Sequence, residues 1–126
     1  MLNRIGKQWG IPCLLCSIMF VAVGCSDRRS EQARVAGDVF RDTDRIADAR
    51  ASYQAALEAN PDNAMAKIGL ARCAGLEGNL DEALALYRDT IALDPSLDEA
   101  YVEPVRLLVD ADRLEDALAL SVEYAA

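Results

Sequence analysis

Three observations predict an all-α fold built from paired antiparallel helices. The chain repeats itself every 34 residues: Asn60-Pro61 returns as Asp94-Pro95, Ala49, Ala83 and Ala117 coincide, and so do Tyr53 and Tyr87. The segment 42–49 returns two periods later as 110–117, with five identities and an Ile/Leu exchange in eight positions. Within each period the apolar residues recur at helical spacing, as in Leu80, Ala83, Leu84, Tyr87 and Ile91. The composition agrees: 52% of the 126 residues are hydrophobic but only 6% aromatic, which suits closely packed helices better than a β-sandwich. That length allows one domain. With no histidine, Ser-His-Asp and Cys-His nucleophile pairs and imidazole-ligated zinc are excluded.

The first segment reads as an address. Residues 1–24 carry Arg4 and Lys7, no acid, and a 14-residue uncharged run from Ile11 to Gly24. A membrane-spanning helix needs about 20 apolar residues, so the run is short for an anchor and fits a secretory signal peptide. Ala22-Val23-Gly24-Cys25 resembles the lipobox of bacterial lipoproteins, with Ala22 where leucine is most usual. That resemblance implies removal of residues 1–24, lipidation of Cys25 as the new N-terminus, and a short linker at 25–30. It also implies a bacterial envelope location. Ser26 stands where aspartate would favour inner-membrane retention, which points to the outer membrane, facing the periplasm. Cys13 and Cys16 would leave with the signal; a haem site would need histidine directly after them, and that residue is Ser17. The remaining 102 residues carry a net charge of −10, which disfavours nucleic-acid binding.

The rest of the chain divides into three units. In the first, about 30–63, Ala33, Ala36, Gly37 and Phe40 mark one helix face, and Pro61 ends the second helix because the residue before proline avoids helical angles. In the second, about 64–97, Gly78-Asn79 separates two helices and Pro95 closes the unit. In the third, about 98–126, Leu114, Ala117, Leu118, Ser121, Val122 and Ala125 form the second stripe. Pro104 falls inside the first helix of that unit, where it costs about 3 kcal/mol unless the helix kinks or starts late. Asp44 and Asp112 occupy turn positions, where a short polar side chain tolerates unusual backbone angles. No capping helix follows Ala126 in this sequence, so Leu118 and Val122 are expected to be partly exposed and open to self-association.

Paired helices at this period resemble the tetratricopeptide repeat family. Residues 64–97 carry the signature most fully, in Leu70, Ala74, Gly78, Leu80, Ala83, Tyr87 and Pro95. Residues 30–63 match at Gly37, Phe40, Ala49, Tyr53, Ala56 and Pro61, and 98–126 at Tyr101, Leu108, Ala117 and Leu118. The resemblance implies about three repeats over 31–126 in a right-handed solenoid, and a non-catalytic interaction scaffold. In this reading the chain is a membrane-anchored adaptor in envelope, pilus or secretion-complex assembly. The alternative is an N-terminal interaction module, or fragment, of a longer periplasmic enzyme.

Nothing in the sequence specifies catalysis. Asp48, Glu82 and Asp116 recur with the repeat, in the first turn of the second helices, where acids interact favourably with the helix N-terminus. Cys73 lies on an inner stripe with Ala66, Leu70 and Ala74, as a buried inert thiol would. The glycines form no phosphate loop, and no metal-ligand spacing or cofactor motif is present. What remains is a surface. In the resembling family the first helix of each repeat lines a concave groove for a partner's peptide or helix. The corresponding positions are Glu31, Arg34, Asp38 and Arg41; Met65, Ile68, Arg72 and Leu76; and Glu99, Val102, Arg106 and Val109. Apolar side chains beside Arg72 and Arg106 suit a segment carrying an apolar anchor and a carboxylate. Val35 and Gly69 stand where chaperone-tail-binding relatives place asparagine, which disfavours that ligand.

Overall fold

The computed structural model describes residues 12–126, with side chains from residue 24 onward. Residues 1–11 of the segment read as a signal peptide, Arg4 and Lys7 among them, therefore lie outside the described residues, as do the side chains of Cys13 and Cys16. The described residues form six helices and no strand: α1 Pro12–Asp42, α2 Ile46–Ala59, α3 Ala64–Leu76, α4 Leu80–Leu93, α5 Glu99–Asp110 and α6 Leu114–Ala125. Among the described residues no helix is long and apolar enough to cross a membrane.

One turn is made three times. Asp44, Gly78 and Asp112, spaced by 34, all take positive φ, at 60°, 80° and 60°. In each case the following amide reaches back to a carbonyl five residues earlier: Arg45 to Phe40, Asn79 to Ala74 and Arg113 to Leu108, all at 2.8 Å. This left-handed cap satisfies carbonyls that the helix end leaves free. Aspartate adopts it at a steric cost that glycine avoids. Asp112→Gly is therefore expected to raise stability by about 0.5–1 kcal/mol, and Gly78→Ala to lower it by a similar amount, in urea titrations. The longer connections repeat as well. The Asn60 side chain accepts from the Asp62 amide, and Asp94 from the Ser96 amide, each at 3.0 Å. Asn63 caps α3 by accepting from the Ala66 amide at 3.0 Å.

Residues 25–30, read from the sequence as the lipidated cysteine and a short linker, are helical. They continue α1, and Ser30 is buried, donating to the Ala56 carbonyl at 2.8 Å while accepting from the Asn63 amide group at 2.9 Å. Asn60 donates to Asp27 at 3.0 Å, so this part of α1 is tied to the turn after α2. Pro104 lies buried within α5, which starts one residue later in the period than α3 does. Pro104 is still the sixth residue of α5 and cannot donate to the Ala100 carbonyl, yet the helix continues through it to Asp110.

The helices pack in chain order, and α3 also touches α1 and α5, whereas α2, α4 and α6 are not neighbours of one another. The first helices thus form the closer layer and the second helices the splayed one. Two cores fill the spaces between units. Ala49, Tyr53, Ala56, Ala66, Leu70 and Cys73 form the first, and Ile68, Ala71, Ala74, Ala83, Tyr87 and Ala100 the second. Alanine dominates both, which permits close helix approach. A smaller cluster of Leu108, Ala117 and Leu120 ends the stack.

Candidate functional site

Tyr53 and Tyr87 organise the inner layer, each through a buried ring and a bound hydroxyl. Tyr53 donates to Asp38 at 2.6 Å and accepts from Arg41 at 3.2 Å. Asp38 also receives Arg34 at 2.6 Å, and Arg34 is held by Glu31 on its other side. One period later the carboxylate comes from the next unit: Tyr87 donates to Glu103 at 2.8 Å, and Arg72 pairs with Glu103 through its Nε at 2.9 Å and through a second nitrogen. Burial and the hydrogen bond to a carboxylate push both phenols up. For Glu103 burial acts upward, but bonds from Arg72 and Tyr87 and the charges of Arg72 and Arg106 outweigh it and hold the carboxyl below its usual range.

This last arrangement has a pH signature. A depressed folded pKa contributes stability fully above the unfolded glutamate value of about 4.3, and that contribution is lost as pH falls through the folded value. Glu103→Gln, which keeps the shape and removes the charge, is expected to cost about 1–2 kcal/mol at neutral pH. The gap from wild type should close below the folded pKa, as read by denaturant titrations across the acid range.

Between α3 and α5 the inner layer opens into a groove of about 490 Å³. Ala71, Gly75 and Leu107 supply apolar lining, Leu76 stands 65% exposed at the edge, and Arg41, Arg72 and Arg106 face Glu103 and Asp110. Three cations against two carboxylates make the lining locally positive in a strongly acidic chain. Arg41 and Arg72 are already bonded to protein carboxylates, while Arg106 is exposed and forms no ion pair among the described residues.

The structure brings together Arg72, Leu76 and Arg106 of the residues expected from sequence. Arg34 and Asp38 are half-buried and spent on each other and on Tyr53; with Met65 and Val102 they lie outside this lining. Ile68 requires correction: it is completely buried in the second core and presents nothing to a ligand. Arg34, Ile68 and Val102 share one place in the period, but only at α3 is that place closed from both sides. Sequence reasoning missed Glu103, which lies 34 residues after Gly69 and had no motif to mark it. An acid where the previous unit has glycine, facing Arg72, was the available signal.

Cys73 is fully buried, and burial raises its thiol pKa. It is expected to resist aromatic disulfide reagents in the folded chain and to react once guanidinium unfolds it. Among the described residues no cluster of carboxylates and thiols is placed to hold a metal ion.

A family model for the tetratricopeptide repeat matches residues 34–98. A similar solved structure is the TPR2B-domain:pHsp70 complex of yeast Sti1, at 20% sequence identity, with a TM-score of 0.68 and 74% of each chain covered. At that identity the likeness is one of fold. No curated protein sequence matches the chain.

Proposed function

Because the chain belongs to the tetratricopeptide repeat family, whose fold is typically a non-catalytic interaction module, we propose that it is an adaptor that receives a protein segment in the groove between α3 and α5. The observation that carries this reading is Arg106, an exposed cation in no ion pair among the described residues, beside exposed Leu76 and half-buried Leu107 on an acidic chain. A segment with one apolar anchor and one carboxylate satisfies both features. The Sti1 domain is solved with pHsp70; here Val35 and Gly69 stand where resembling chaperone binders place asparagine, and neither lines the groove between α3 and α5. Glu103 adds an acid beside the groove, already neutralised by Arg72. We therefore assign a different protein ligand.

The adaptor reading extends to the envelope. The lipobox-like Ala22-Val23-Gly24-Cys25 supports lipidation at Cys25, which is exposed, and Ser26 supports outer-membrane placement facing the periplasm. Acyl chains bury about 0.8 kcal/mol per CH₂, so several make attachment effectively permanent.

Two experiments test the two parts. Metabolic labelling with an alkyne fatty acid should mark the wild-type chain and not Cys25→Ser; equal labelling, or none in either, removes the lipoprotein reading. For the groove, co-purification from crosslinked envelopes should yield a stoichiometric protein that Arg106→Glu loses. Arg106 is the residue to change, because Arg72→Glu would set two carboxylates against each other and disturb the fold. Partners indifferent to Arg106→Glu would remove the groove.

A further inference from the structure

We propose that this chain stacks head to tail on a second copy of itself, the outer face of α1 in one copy docking over the open face of α6 in the other. Several large apolar side chains are left uncovered on the surface. Two such sets lie at opposite ends of the stack: Val35 and Val39 on α1, 46% and 56% exposed, and Leu118 and Val122 on α6, 67% and 69% exposed. Val35 and Val39 lie on the side of α1 away from buried Ser30 and Gly37.

Val35, Val39 and Leu118 occupy positions that make interfaces inside the molecule, while Val122 stands one period after exposed Arg88. Val35 and Val39 precede Gly69 and Cys73 by one period, and those residues are buried where α3 meets the first unit. Leu118 follows Leu84 by one period, and Leu84 is covered by Leu108, Ala117 and Leu120 of the third unit. Each end therefore displays one half of a contact that the chain already forms within itself, and a second copy continues the same packing.

The sizes also match. Inside, the Tyr53 ring lies so close to Gly69 that a Cβ there would sit 2.3 Å from it. At the open ends the bulk is reversed: α6 carries Ser121 at the tyrosine position, and α1 carries Val35 at the glycine position. The room left by serine is what valine needs.

Charge decides between head-to-tail and face-to-face association. Helix α6 contains Glu115, Asp116 and Glu123 and no basic residue, so two antiparallel α6 helices would oppose like charges. The outer stripe of α1 instead continues to Arg28, seven residues before Val35, with Arg29 beside it, both exposed. Antiparallel docking, as α3 makes on α2, directs these arginines toward the C-terminal end of α6, where Glu123 and the negative helix pole lie. Such an interface joins different faces and propagates into a ring or an open array.

Sedimentation equilibrium of the full chain in density-matched detergent tests this, with Val39→Arg and Leu118→Arg as exposed-site variants whose folding is checked by circular dichroism. The wild type should gain mass with concentration, each variant alone should stay monomeric, and an equimolar mixture of the two should form heterodimers and nothing larger. A wild type that remains monomeric into the millimolar range overturns the proposal. So does a mixture that stays monomeric. Association abolished by Leu118→Arg but untouched by Val39→Arg would replace it with a symmetric α6 contact.

Discussion

Ala83→Arg is expected to lower the thermal midpoint by about 15 °C or to prevent folding altogether, the largest single effect in the molecule. Ala83 is completely buried in the second core, against Ile68, Ala71, Ala74, Tyr87 and Ala100. The neighbouring helices approach closely because nothing larger than a methyl projects there. Arginine at that place adds bulk to a packed interior and leaves a cation with no carboxylate; an uncompensated buried charge costs about 3–5 kcal/mol. The exposed neighbour Ala85→Arg serves as control and should stay close to wild type. A melt of Ala83→Arg within about 2 °C of wild type would contradict the packing described.

Gly69→Ala is expected to destabilise by about 2 kcal/mol, opposite in sign to what helix propensity alone gives. In an ordinary helix interior this exchange gains about 1 kcal/mol. Here the added Cβ would lie 2.3 Å from Cε1 and 2.4 Å from Cζ of Tyr53. The ring is also hemmed in at Gly37, where a Cβ would be only 2.7 Å from the same edge, and its hydroxyl is held by Asp38 and Arg41. Overpacking of this kind costs about 1–3 kcal/mol and sometimes more, which outweighs the propensity gain. Combining Gly69→Ala with Tyr53→Leu should cost less than the sum of the two changes, since removal of the ring relieves the clash. Urea titrations showing Gly69→Ala more stable than wild type would mean that Tyr53 is free to move.

These two sites also show what the amino-acid sequence discloses about the fold and where it stops. Ala83 belongs to a series with Ala49 and Ala117, and such a series announces a helix contact before any coordinates exist. Asp44 and Asp112 likewise announced their turns. Gly69 is different: its reason is a tyrosine 16 residues away on another helix, which period and hydropathy do not encode. The groove suffered from the same gap. Helical spacing places Ile68, Arg72 and Leu76 on one side of α3, yet it does not say where that side meets neighbouring helices. Ile68 falls inside the contact and Leu76 outside it. Glu103 was invisible for a related reason, since its role comes from three helices converging on one carboxylate. Ser30 shows the limit at the N-terminal side: a polar residue shortly after a lipobox-like cysteine reads as linker, whereas its hydroxyl bridges two later segments.

A protein partner held in the groove between α3 and α5 lies within reach of Leu76 at its edge. Site-specific photocrosslinking in intact envelopes tests it most directly, with the photoreactive residue at Leu76 beside the groove and, as comparison, at Ala51 on exposed α2. Occupancy of the groove requires a discrete adduct at Leu76 that is absent at Ala51 and disappears when Arg106 is changed to glutamate. No adduct at Leu76, or the same adducts from both positions whatever residue stands at 106, would contradict it.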